Sequence, residues 1–166
     1  MGKKISELIV AIADNEIGVH EDGNSNTGQR VNIYKAATNL NPFESWAWCA
    51  AFVDWCVREA MIGCQIKFTF DRPRTAGAWD LIRWSKQQDD STKTIMNPTE
   101  VLAGDIVIYK FSHCGICVSG GSDTFRTIEG NTTKDSASQD EERNGGCVAQ
   151  KTRNISEVKA IIRFSC

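Results

Sequence analysis

The sequence predicts an α+β domain, with N-terminal helices packed on an antiparallel sheet of about five strands. Three observations predict it. In the first half the apolar residues recur at helical spacing, and after Pro98 they fall into short β-branched or aromatic runs bounded by Gly, Ser, Asp and Asn. The connections between those runs are too short for parallel crossovers. The chain has 166 residues, 41% hydrophobic and 24% charged, enough to bury a core without staples. No repeat or low-complexity linker divides it, so residues 1–166 are read as one domain.

Ile5, Leu8, Ile9, Ile12 and Ile17 predict a helix over 5–17, closed by Gly18 in the left-handed conformation. Glu21 to Gly28 is a run of turn formers, and Val31, Tyr34 and Lys35 resume a helical pattern up to the Asn41-Pro42 break. From Cys49 the residues Phe52, Val53, Cys56, Val57 and Ala60 put one face of an amphipathic helix in the core, and Gly63 ends it. A fourth helix is expected after Thr75 as N-cap, with Ala78, Trp79, Ile82 and the Arg83 stem turned inward, fraying in the polar run 85–94. Strands are expected at 105–109, 115–118, 125–128, 147–150 and 158–164. Thr132 to Gly146 is a long polar loop, a length that tends to go with function or mobility.

Composition excludes several partners. Nineteen Lys+Arg against 21 Asp+Glu give a formal charge of −2, and the basic residues are scattered, which speaks against nucleic acid and anionic membranes. The longest apolar stretches, Leu8 to Ala13 and Trp46 to Trp55, fall short of the ~20 residues of a membrane span. Glu7, Asp14 and Glu16 interrupt the N-terminal apolar pattern, so synthesis in the cytoplasm without a secretion signal is expected. Seven cysteines, an odd count, predict free thiols rather than a disulfide framework.

Cys49 stands where an aromatic, non-helical segment meets a helix. There the free N–H groups and the macrodipole favour a thiolate, and the Cys49 N–H could face a developing oxyanion. Of the two histidines, His20 lies in a polar loop and is expected at the surface. His113 occupies a turn between two strands, at a rim where it can serve a thiol as base. A base needs an orienting acceptor. Glu129 and Asn131, at the end of the neighbouring strand and two residues apart on one face, both qualify.

These pieces together resemble the CHAP-type cysteine amidohydrolases and peptidases of the papain-like, NlpC-type superfamily. The matching residues are Glu21-Asp-Gly-Asn with Gly28, Trp48-Cys-Ala-Ala-Phe-Val-Asp-Trp-Cys56, Gly104-Asp-Ile-Val-Ile, His113 followed by Gly115-Ile, Thr127-Ile-Glu-Gly-Asn-Thr132, and Gly145-Gly-Cys-Val148. The resemblance spans about residues 10–164 and implies a papain-like fold with the nucleophile at a helix N-terminus. It implies Cys49 as nucleophile, His113 as general base and then acid, Glu129 as orienter and Asn131 as a further polar member. Cys114 and Cys117 depart from the pattern, in which aliphatic residues usually stand there. Some relatives bind calcium through an acidic loop just before the nucleophile, but here Glu44 is the only carboxylate between Asn41 and Trp48, so no metal is expected. Cys114-Gly-Ile-Cys117 could form half a zinc site or a dithiol, yet strand alternation puts the two thiols on opposite faces and no second Cys-x-x-Cys exists. No cofactor is expected.

What the resemblance implies is cleavage of an amide bond in bacterial peptidoglycan, between glycan and stem or within the stem, through a thioester at Cys49. A single monomeric catalytic domain without a wall-binding module is similar to a phage endolysin, which reaches the wall after release. A contact-delivered amidase toxin shares these features. A catalytically inactive binding domain on the same scaffold is the reading from another class. Trp46 or Trp48 is expected to form a wall of the substrate groove, since aromatic walls suit sugars and peptide stems.

Overall fold

A computed structural model describes residues 4–64, 67–134, 138 and 144–165 of the chain. Four helices come first: α1 (Ile5–Asp14), α2 (Gln29–Lys35), α3 (Cys49–Cys64) and α4 (Asp80–Lys86). The strands follow as β1 (Thr92–Met96), β2 (Ile106–Tyr109), β3 (Cys114–Ser119), β4 (Thr124–Thr132), β5 (Cys147–Asn154) and β6 (Val158–Phe164). They form one sheet in the order β1-β6-β2-β3-β4-β5, with every neighbouring pair antiparallel. The predicted α+β class holds, with one strand more than expected.

That strand is β1, placed by the sequence reading in a fraying polar run. Thr92, Lys93 and Thr94 carry no apolar alternation, but an edge strand needs only a partner, and Thr92 to Met96 pair with Phe164 to Ala160 of β6. The Thr92 and Thr94 hydroxyls are held by Ser85 of α4. The helix expected after Thr75 begins instead at Asp80, because the Thr75 hydroxyl accepts from the Gly77 N–H and closes a local turn. Ala78 and Ile82 are buried as expected, but Trp79 is 46% exposed and its indole N–H donates to the Tyr109 carbonyl at 2.9 Å. Arg83 points outward to Asp80. Helix α1 stops at Asp14 rather than 17: Glu16 turns to accept from Nε and Nη2 of Arg30 and from the hydroxyl of Tyr34, both on α2. Gly18, at φ 95°, then donates to Val148 and brings the chain alongside β5, leaving Ile17 exposed.

The sheet has two apolar faces. Ile106, Ile108, Cys114, Ile116, Ile128, Ala160 and Ile162 pack against the helices, whereas Val107, Tyr109, Cys117, Phe125, Val158 and Ile161 form a second cluster on the other face. Cys114 and Cys117 therefore lie on opposite faces, as alternation requires. Helix α3 is not amphipathic in its first half. Every residue from Cys49 to Val57 is buried, because α1, α2, β3 and β4 surround it, and its solvated positions come only from Arg58 onward. All six described cysteines are free thiols. Among the described residues no helix is long and apolar enough to cross a membrane, and no three His, Cys, Asp or Glu side chains cluster to hold a metal. Of the long loop after Thr132, residues 135–137 and 139–143 lie outside the described residues.

Candidate active site

The start of α3 is fixed from two sides. Trp48 is fully buried, stacks on Tyr34 with ring centroids 5.8 Å apart, and donates its indole N–H to Glu21 Oε2 at 3.0 Å. Lys35 Nζ lies 4.8 Å from the Trp46 ring and donates to the carbonyls of Asn26 (2.8 Å) and Glu44 (2.5 Å), tying the 21–28 turn to the segment before α3. Cys49 is thereby held as the first residue of the helix, only 4% exposed. The leading N–H groups of a helix have no intrahelical acceptor, so they can face negative charge at that sulfur.

His113 is delivered by the turn from β2 to β3, where Ser112 adopts φ 57° and Tyr109 N–H donates to the His113 carbonyl at 2.9 Å. Its ring lies nearly parallel to those of Tyr109 and Phe111, 5.9 and 5.8 Å away. Nε2 meets Glu129 Oε2 at 2.9 Å, and Nδ1, the ring nitrogen left over, has no hydrogen-bond partner of good geometry among the described residues. The thiol of Cys49 is a second ionisable group beside the ring. Glu129 is fully buried and accepts from Tyr109 and Thr127 hydroxyls at 2.7 Å each, and from Arg153 at 2.9 Å (Nε to Oε1) and 2.5 Å (Nη2 to Oε2). The approach of β3 to this carboxylate requires Gly115: a Cβ there would lie 2.5 Å from Glu129 Cγ.

The charges follow from these neighbours. The Cys114 thiol, then the His113 imidazolium and the Ala50 N–H, hold the Cys49 thiol well below the ordinary cysteine range against the opposing effect of burial. Burial disfavours the imidazolium of His113, but Cys49 and then Glu129 raise it to about 9. Burial would raise Glu129, yet Arg153 and His113 hold it far below the usual carboxylate range. These neighbours favour the thiolate of Cys49, the imidazolium of His113 and the carboxylate of Glu129.

No protein-family model matches this chain, and no curated protein matches it. Among solved structures it is similar to the crystal structure of the wild-type endolysin LysIME-EF1. The match has a TM-score of 0.59 and 17% sequence identity, and covers 96% of this chain and 63% of that one. The chain therefore spans under two thirds of the length of that endolysin, with which it shares a fold.

Cys49, His113 and Glu129 come together as the sequence reading expected, and His20 is exposed and paired with the edge of β5. Asn131 is buried but does not continue the alternation from Glu129. It sits at φ 55° where the β4–β5 register shifts between Glu129 and Thr132, so two residues' separation does not place both on one face. Trp48 is not a groove wall, since it is fully buried and its N–H is used internally, whereas Trp46 remains partly exposed. Sequence reasoning missed Arg153, Tyr109 and Thr127 around Glu129, and Cys114 beside Cys49. Alternation could have found Thr127, two residues before Glu129, but Arg153 and Tyr109 come from other strands.

Proposed function

We propose that this chain is a cysteine-dependent amidohydrolase of the CHAP type that cleaves an amide bond in bacterial peptidoglycan, in the manner of a phage endolysin. The observation that carries the reading is the His113–Glu129 contact of 2.9 Å, which commits Nε2 to the carboxylate and leaves Nδ1 for the thiol of Cys49. The likeness in fold to an endolysin structure supports the substrate class.

In this reading the Cys49 thiolate attacks the scissile carbonyl carbon, and the electron pair moves to oxygen, where N–H groups at the start of α3 accept the charge. The imidazolium of His113 gives its proton to the leaving nitrogen as the C–N bond breaks, which leaves a thioester and a neutral imidazole. That imidazole takes a proton from water, the hydroxide attacks the thioester, and the thiolate leaves as His113 is again protonated. Glu129 stays ionised throughout and fixes the ring. No step calls for a metal or cofactor. The protein acts on the wall as a monomer, with Trp46 contacting substrate.

Purified peptidoglycan digested by the wild type and by Cys49→Ala, analysed by mass spectrometry, tests this. New amine and carboxyl ends should appear with the wild type alone. Intact wall after wild-type treatment, or equal cleavage by Cys49→Ala, would overturn the reading.

A further inference from the structure

Glu129 receives more donors than a carboxylate needs to orient one imidazole. Oε1 accepts from Tyr109, Thr127 and Arg153 Nε, and Oε2 is shared between His113 Nε2 and Arg153 Nη2. Arg153 comes from β5, two strands away from the histidine, and is itself only 6% exposed. Its guanidinium lies 5.2 Å from the Tyr109 ring centroid and 5.4 Å from that of Phe111, the two rings that flank His113. One cation therefore grips the orienting carboxylate on both oxygens and braces the aromatic rings beside the base.

We infer that Arg153 is a positioning residue of this site, which fixes the Glu129 carboxylate toward His113 and neutralises it, so that Glu129 does not hinder ionisation of Cys49. The inference rests on the reading of Cys49 as nucleophile. A planar fork matches a carboxylate in one orientation, which leaves Oε2 where Nε2 can reach it. Without the fork, Glu129 would keep two neutral hydroxyls and the imidazole as partners and could turn within its pocket. Without the charge, a bare buried anion would lie one imidazole away from the thiol and raise its pKa.

Among the described residues, Cys114, Asp54 and Tyr109 are further ionisable groups that act on the pair. Cys114 on β3 touches Cys49, and burial raises its own thiol, so it remains a neutral donor. Asp54 on α3 has its pKa pushed up by burial, with Arg72 opposing. Tyr109 on β2 is raised by burial and then by Glu129, and stays neutral. Among the described residues, Arg153 supplies the fixed positive charge on Glu129 and the imidazolium of His113 the one that titrates.

The test is the pH dependence of Cys49 alkylation by iodoacetamide, read by mass spectrometry of the modified peptide, in Arg153→Gln and Arg153→Lys. Arg153→Gln should raise the apparent thiolate pKa by about one unit, a tenfold change in ionisation constant. Arg153→Lys keeps the charge but not the fork, so its thiolate pKa should stay within about 0.3 unit of wild type while kcat on peptidoglycan falls about tenfold at constant KM. A folded Arg153→Gln variant with an unmoved profile overturns the inference. Should Arg153→Gln not fold, Arg153→Lys decides: a thiolate pKa raised by a unit refutes the charge argument, and unchanged kcat refutes the positioning. Alkylation uses no wall substrate, so a wild type that leaves peptidoglycan intact defeats the proposed function without touching the alkylation result.

Discussion

His113 and Glu129 are sixteen residues apart in the chain, and their side chains meet at 2.9 Å with neither exposed to solvent. The contact spans the β3–β4 pair, and Glu129 brings three further partners with it.

Glu129→Gln should therefore fail on two counts. Turnover should fall on the order of 10²-fold or more, because the anion that stabilises the imidazolium is gone. The fold should also lose stability, because Arg153, Tyr109 and Thr127 lose the buried carboxylate that they all bond. Steady-state kinetics and urea melts measure the two separately. Asn131→Ala should cost less turnover than Glu129→Gln, since an amide offers only a neutral hydrogen bond, and the reverse order would pass the orienting role to Asn131.

His113 should set the alkaline limit of the proposed reaction. Its pKa is raised to about 9 from an ordinary 6.5, so the stability it contributes is fully present below about 6.5 and is lost as pH rises through about 9. The rate of the acylation step should fall over the same upper range as the imidazolium disappears. A pH–rate profile for kcat/KM should show an alkaline limb near 9, and thermal melts should soften above neutrality. A limb near 6.5 would mean that the ion pair does not form.

Cys114 and Cys117 should part company. The Cys114 thiol touches Cys49 and contributes most to holding its pKa down, whereas Cys117 faces the other cluster, where burial raises it to about 12. Cys114→Ala should move the acid limb of activity upward and cost most rate at low pH, with activity recovered toward pH 8. Cys117→Ala should leave the profile where it was. Iodoacetamide rates across pH report both.

Trp48 and Trp46 separate stability from binding. Trp48→Phe removes the donor to Glu21 Oε2 in a buried site and should cost about 1–3 kcal/mol in denaturant melts, with KM unchanged. Trp46→Ala should raise KM for wall fragments several-fold with little change in melting. Unchanged KM in Trp46→Ala would remove it from the substrate contacts.

The fold class was written locally. Helical spacing before Cys64 and β-branched runs after Pro98 specify which face each element buries, and short connections leave only antiparallel pairing. The positions of Cys49 and His113 were equally local, since one opens a helix and the other closes the turn before β3, although both are buried. Thr92 to Met96 escaped because an edge strand draws its stability from its partner, β6, rather than from its own pattern. What surrounds Glu129 was decided only by the tertiary structure. Tyr109 and Arg153 reach it from β2 and β5, at separations of 20 and 24 residues, and the bulge before Thr132 takes Asn131 out of the alternation that the sequence suggested. Trp46 and Trp48 are equal candidates for a groove wall in sequence, because an aromatic beside Cys49 looks the same there whether it faces substrate or core. The indole N–H of Trp48 found Glu21, 27 residues earlier, only when the turn 21–28 folded back against the start of α3. Long-range partners of this kind depend on strand order and register, which no single segment encodes.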